Sequence, residues 1–445
     1  MLRKIMLFSL AVALISGCDK NDNPFEPDMK TMFKVTVANV ASPKMFASSG
    51  TYTTPVGASS PAPLFPGDAF EFMFSAAPGS YLSFASMFGQ SNDLFYAPSE
   101  MGIALFDNSG MQVTGDVTSQ VKLWDAGTEI NQEPGLGPDQ APRQAAPNTG
   151  AADPDNMVRA AADDFSNLPG VSDNIKVTIS STSATGFKVR IENVGTSTIL
   201  HTSDGEMAPA PVSPGVWVVH TSPAPLFMSG MPDRGEGLER IAEDGDPTAL
   251  AKRLAMESGL THLLSPGVWV VHATANPLFT EGQMDMGKGL EHLAEDGNPT
   301  DLVSSVMGQS GVASSGIFNT PIGSAMPSPA HPGDSFEFMI TAKPGNYLSF
   351  ATMYAQSNDL FYAPNGMGIS LFNGKTPVTG DVTSQIMLWD AGTEVNEQPG
   401  VGLNQAPRQS APNTGTDENG IVQMVNDGFT YPSVPQVIKV TIEKQ

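Results

Sequence analysis

Cysteine is almost missing from this chain. Cys18 is the one thiol in 445 residues, which excludes an internal disulfide and any thiolate metal cluster. Basic residues are scarce as well, 22 against 46 acidic, for a formal charge of −24. No Lys/Arg-rich stripe exists, so a phosphate backbone would be repelled and no nucleic-acid partner is expected. Catalytic signatures are missing too. His201, His220, His262, His272, His292 and His331 show no H-E-x-x-H or other paired ligand spacing. There is no G-x-S-x-G elbow and no glycine-rich phosphate loop. The expectation is a protein that is not an enzyme, with a hydrolase working through paired carboxylates as the weakest alternative.

What is present points to short strands. Gly 44 and Pro 37 are high for a helical protein, charged residues are only 15%, and an apolar content of 40% is enough for a buried core. The acidic balance suits divalent cations or basic partners, and equally serves solubility. At the amino end, Arg3 and Lys4 precede an apolar run from Ile5 to Ile15 that is too short to span a bilayer as a mature helix. Ile15-Ser16-Gly17-Cys18 matches the cleavage pattern of a bacterial lipoprotein signal. Residues 1–17 are therefore expected to be a signal peptide and Cys18 the lipidated residue, with 18–30 a polar tether. A membrane partner reached through that lipid, in a bacterial cell envelope on its periplasmic or outer surface, follows. No other apolar stretch reaches membrane-spanning length.

Internal repeats carry the strongest signal. Pro66–Glu129 and Pro332–Glu394 share PGD-x-FEFM, YLSFA, QSNDLFYAP and VTGDVTSQ, and both end in LWDAGTE. Glu337 lies 266 residues after Glu71 and Asp390 lies 265 after Asp125, so one residue is missing in the turn opposite Asp107–Gly110. The segments Phe33–Val37 and Phe187–Ile191 resemble each other, as do Ile175–Ile179 and Ile438–Ile442. All four alternate apolar with polar residues like half-buried strands. Copy one is thus read as 31–180 and copy two as 185–445, each opening and closing with a strand. Copy two also contains Ser213-Pro-Gly-Val-Trp-Val-Val-His220 and, 52 residues on, Ser265-Pro-Gly-Val-Trp-Val-Val-His272. Each is followed by a short helix such as Leu238, Ile241 and Ala242 with Gly245 as its stop. Units 213–264 and 265–316 read as a duplicated, peripheral addition to copy two, since copy one lacks them.

The residues Leu82-Ser83-Phe84, Ser91-Asn92-Asp93-Leu94-Phe95 and Asp125-Ala126-Gly127-Thr128, with the closing Ile-Lys-Val-Thr-Ile strand, resemble the spondin amino-terminal domain (F-spondin/mindin-like). The resemblance covers most of 31–179 and 185–443. It implies an all-β chain of two antiparallel β-sandwich domains of C2-like type, with short peripheral helices in the second, and a calcium ion near one end. It also implies an extracellular protein or glycan ligand, bound in a matrix- or cell-surface adhesion role. The cysteines of the animal proteins are absent, so no particular receptor transfers.

Calcium requires several hard oxygen ligands gathered from turns. The family's carboxylate ligands map onto Glu71, Asp93 and Asp125 in copy one and onto Glu337, Asp359 and Asp390 in copy two. Glu71 sits between Phe70 and Phe72, on the opposite face of its strand from theirs. Glu129 and Glu394 are second-rank candidates for outer ligands, and Asp116 and Asp381 are read as turn-formers. Trp124, Trp217, Trp269 and Trp389 lie among apolar neighbours and are assigned to the core. The function expected is a lipid-anchored binding or adhesion protein with calcium sites. The runner-up is a structural envelope lipoprotein in which calcium only stiffens loops.

Overall fold

The computed structural model describes residues 30–161 and 168–445. The expected signal peptide, Cys18 and nearly all of the expected tether lie outside the described residues. The chain is an all-β protein built from two antiparallel β-sandwiches. In chain order the strands are β1 (Thr31–Asn39), β2 (Ser48–Tyr52), β3 (Ala69–Ser75), β4 (Tyr81–Phe88), β5 (Leu94–Pro98), β6 (Val121–Asp125), β7 (Arg159–Ala160), β8 (Ile175–Ser181), β9 (Gly186–Asn193) and β10 (Val212–His220). Helices α1 (Leu238–Asp244) and α2 (Thr248–Glu257) follow. The second half runs through β11 (Leu264–His272), α3 (Leu290–Asp296), α4 (Thr300–Val306), β12 (Val312–Phe318), β13 (Ser335–Ala342), β14 (Tyr347–Tyr354), β15 (Leu360–Pro364), β16 (Ile386–Asp390), β17 (Gln423–Met424) and β18 (Ile438–Lys444).

Each sandwich has three layers. In the first, a four-stranded sheet ordered β3-β9-β8 with Gly115–Asp116 at its edge faces a sheet ordered β2-β10-β4-β5-β6-β7. Phe70, Phe72 and Phe74 of β3 meet Phe84, Phe88 and Tyr96 between them. The far face of the larger sheet is covered by α1 and α2 through Leu238, Ile241, Leu250 and Leu254, packed on Ala85, Phe95, Trp124 and Val218. The second sandwich repeats this with β13-β1-β18 against β12-β11-β14-β15-β16-β17, and with α3 and α4 outside. Its middle layer explains why β14 is buried on both faces from Leu348 to Tyr354, while β13 alternates. Helices thus cover both sandwiches, not the second alone.

The sheets do not divide where the repeats divide. β1 pairs with β13 and β18, Val35 opposite Phe338 on one side and Ile442 on the other, so the first described strand is an inner strand of the second sandwich. Its counterpart β9 fills the same slot in the first sandwich, with Val189 opposite Phe72 and Ile179. Connection length decides this exchange. β8 and β9 are joined by a tight turn closed by Thr182 N–H to Gly186 O at 2.9 Å, and a local hairpin closes at lower entropic cost than a distant pairing. β1, of nearly the same sequence, takes the slot left open in the second sandwich.

The first SPGVWVVH segment is likewise no addition to copy two. As β10 it lies between β2 and β4 of the first sandwich, with α1 and α2 on its outer face. The boundaries 31–180 and 185–445 therefore give way to a first sandwich of about 46–259, inserted into a second made of 30–45 and 260–445. In both SPG turns the ladder shifts register, and Ser213 and Ser265 accept the N–H of Met87 and Met353 at 2.8 and 2.9 Å. A Cβ on Gly215 would meet the Ala85 carbonyl, and one on Gly267 the Ala351 carbonyl, which requires glycine at each bulge. The two crossings between sandwiches run side by side: Met45 and Phe46 donate to Glu257 O at 2.9 and 3.1 Å. Among the described residues no helix is long and apolar enough to cross a membrane.

Candidate metal centre

In the second sandwich three carboxylates converge at the end where β15 begins and β16 stops. Asp359 precedes β15, Asp390 closes β16 opposite Leu360, and Glu418 arrives from the following loop. One oxygen of each lies within 4.8 Å of the others. Backbone geometry fixes the first two. Asp359 Oδ2 accepts the N–H groups of Thr393 and Glu394 at 2.7 and 3.2 Å. Asp390 Oδ1 accepts Gly392 N–H at 2.8 Å, and its Oδ2 accepts Asn396 Nδ2 at 2.9 Å. The Glu418 backbone is tied down by its N–H to Thr393 O at 2.9 Å. Asp359 is fully buried, and its remaining oxygen, Oδ1, has no hydrogen-bond partner. An orphaned buried carboxylate oxygen is costly unless a cation meets it.

Electrostatics state the same need. Burial first, and the neighbouring Asp390 second, push the Asp359 carboxyl up to about 7. Burial raises Asp390, with Asp427 adding to it, and Glu418 is raised by burial and then by Asp390 and Asp427. Like charges held together, two of them buried and the exposed Glu418 closing the solvent side, favour either protons or a metal. The donor set is all carboxylate oxygen, which suits a hard cation of the calcium or magnesium kind.

The first sandwich repeats the frame. Asp93 Oδ2 accepts Thr128 and Glu129 N–H at 2.8 and 3.1 Å, and its Oδ1 is again buried without a partner. Asp125 accepts Gly127 N–H and Asn131 Nδ2, each at 2.6 Å. Asp153 stands where Glu418 stands, its N–H on Thr128 O at 3.2 Å. Here an arginine intervenes: one Arg159 nitrogen lies 2.9 Å from Asp125 and 2.9 Å from Asp153. Burial first and Asp93 second still push Asp125 up to about 7.

Asp93, Asp125, Asp359 and Asp390 are thus brought together pairwise, whereas Glu71 and Glu337 are not. Both face solvent from the smaller sheets, because Phe70 and Phe72, or Phe336 and Phe338, take the alternate inward positions. Glu71 pairs with Arg190 at 3.2 Å and Lys188 at 3.5 Å, and Glu337 with Lys34 at 3.1 Å. The third carboxylate of the cluster is Glu418, which similarity between the copies did not single out, since Asp153 replaces it. Glu129 and Glu394 are buried anchors that hold Gly150 and Gly415 N–H at 2.7 Å each. Asp116 makes the expected turn, accepting both the N–H and the hydroxyl of Thr118. His220 and His272 are packed and bonded to Ser83 and Ser349, each at 2.9 Å. Trp124, Trp217 and Trp389 are buried and Trp269 partly so, stacked on Phe338.

A repeated loop supports each acidic end. It reads PGLGPDQAPRQAAPNTG from Pro134 and PGVGLNQAPRQSAPNTG from Pro399, a likeness that marks it in the sequence. Arg408 donates to Gly402 O at 2.8 Å, Gln356 Oε1 at 3.0 Å and Gln405 Oε1. Gln409 reaches Asp296 at 2.8 Å and Asn413 reaches Glu291 at 2.9 Å, clamping the loop to α3. The loop of the first sandwich repeats these bonds from Gln144 and Asn148 onto α1.

Comparison with protein-family models and with curated proteins returns no match for this chain.

Proposed function

We propose that this chain is an exported bacterial envelope protein, held to a membrane by lipid on Cys18, that uses its second sandwich as a calcium-dependent binding module for an extracellular protein or glycan. The observation that carries the metal reading is the trio Asp359, Asp390 and Glu418, with the Asp359 oxygen left unpaired. The likeness of the S-x-D-L-F and D-A-G-T segments to the spondin domain supports calcium and a matrix-type ligand. The lipoprotein pattern ending at Cys18 supports the anchor. A structural role, with calcium only bracing loops, is the second reading. It is favoured by the dense bonding of the 399–415 loop around the site.

A ligand that binds only the folded state stabilises it by about 2.7 kcal/mol at a hundredfold excess over Kd. Millimolar calcium is expected to raise the melting temperature relative to chelator, and magnesium to raise it less. Asp390→Asn should remove most of the shift. Identical melting in calcium and chelator refutes the metal reading. A glycan and matrix-protein array probed with and without calcium separates adhesion from bracing: no calcium-dependent ligand leaves bracing as the function. Cys18→Ser should release the protein from membranes; continued palmitate labelling of that variant rules the anchor out.

A further inference from the structure

We infer that the Arg159 guanidinium occupies, in the first sandwich, the place a divalent cation takes in the second, so that the chain carries one open ion site and one permanently filled by its own side chain. The inference rests on the metal reading of Asp359, Asp390 and Glu418 and extends it to how many ions the protein takes and where.

The two ends share one frame. Asp93 and Asp359 accept the same pair of backbone N–H groups, Asp125 and Asp390 the same glycine N–H and asparagine amide, and Asp153 and Glu418 hang from the same threonine carbonyl. They differ in the third acid, Asp153 against Glu418, and at one ladder position. In the first sandwich Arg159 stands opposite Asp125, and in the second Gln423 stands opposite Asp390. The arginine reaches the carboxylates at the end of the sheet. One terminal nitrogen bridges Asp125 and Asp153 at 2.9 Å each, and the other donates to the carbonyls of Asp155 at 2.7 Å and Met157 at 3.2 Å. A guanidinium is always charged and offers several donors in one plane, so it meets Asp125, Asp153 and the two carbonyls without an added ion, while Asp93 Oδ1 stays unpaired beside them. Gln423 is uncharged and exposed, so the three acids of the second sandwich receive no positive charge from that position.

Two reciprocal substitutions in the full chain, purified in detergent and stripped with chelator, test this by calcium-binding stoichiometry in calorimetry. The wild type should bind one calcium per chain, Arg159→Gln two, and Gln423→Arg none, with at least a tenfold loss of affinity in the last. A wild-type count of two, or a folded Arg159→Gln variant that stays at one, overturns the inference while the metal reading stands. A wild-type count of zero removes the metal reading and the inference with it. Should Arg159→Gln fail to fold, Gln423→Arg decides: calcium binding retained at wild-type affinity overturns the inference, and its loss supports it.

Discussion

In the first sandwich the chain runs without interruption from about residue 46 to 259, and an arginine strand crosses its acidic end. In the second, a strand from the start of the chain joins residues from 260 onward, and a glutamine stands where the arginine was. The cores are nearly interchangeable: Phe70 and Phe336, Leu82 and Leu348, Trp124 and Trp389 occupy like positions. Duplicated cores with divergent ends mean that the frame is retained by packing while each end is free to change its charge. A carboxylate pair at the end of interior strands is tolerated in both, because backbone N–H groups hold one oxygen of each Asp.

The largest expected effect breaks the symmetry of the SPGVWVVH units. Deleting 213–264 removes β10, α1 and α2, an inner strand and a covering layer. The first sandwich should then lose its cooperative unfolding altogether, a loss on the order of a whole domain stability of 5–15 kcal/mol. Two unfolding transitions surviving in calorimetry would show that unit to be peripheral.

Next in size is the strand exchange. Val35 and Val189 are both fully buried. Val35→Asp should lower only the second sandwich, by about 3–5 kcal/mol for an uncompensated buried charge, although residue 35 precedes the whole first sandwich in sequence. Val189→Asp should lower only the first. Hydrogen exchange resolves the two, and protection lost around β3 and β8 in Val35→Asp would contradict the pairing.

A smaller effect tests the buried acids beside each site. Burial pushes Glu243, and likewise Glu295, from the usual 4.5 up to about 8. Each is therefore protonated in the fold where the unfolded chain is ionised. Their contribution is fully present below about pH 4.5 and is lost as pH rises through 8. Glu243→Gln should flatten the alkaline decline of the first sandwich, and an unchanged pH profile would count against a buried neutral acid. The smallest effect sharpens the site itself. Glu71→Gln and Glu337→Gln break only exposed pairs, and should leave both the melting temperature and the calcium response of the parent. A lost calcium response in Glu337→Gln would return that residue to the ligand set.

Much was legible in advance. Asp93, Asp125, Asp359 and Asp390 stand out because the motif around them is repeated with its turn residues, and the alternation in β1, β8, β9 and β18 marks half-buried strands. Glu71 and Glu337 were misplaced by family register, yet the flanking phenylalanines already put them on the wrong face. Glu418 was hidden because its partner position is Asp153 and its loop lies 28 residues beyond Asp390.

By itself the sequence determined the strands and their inward faces, each a local matter of period and turn chemistry, while the two-sandwich class and the paired aspartates were what the spondin resemblance implied. Only the tertiary structure decided which sandwich each strand joins. Phe33–Val37 and Phe187–Ile191 turn similar apolar side chains inward, Phe, Val and Val or Ile, so the choice fell to the short turn between β8 and β9. The tertiary structure also decided what faces each acidic end, because Arg159 and Glu418 reach the aspartates across loops whose return path no local pattern encodes.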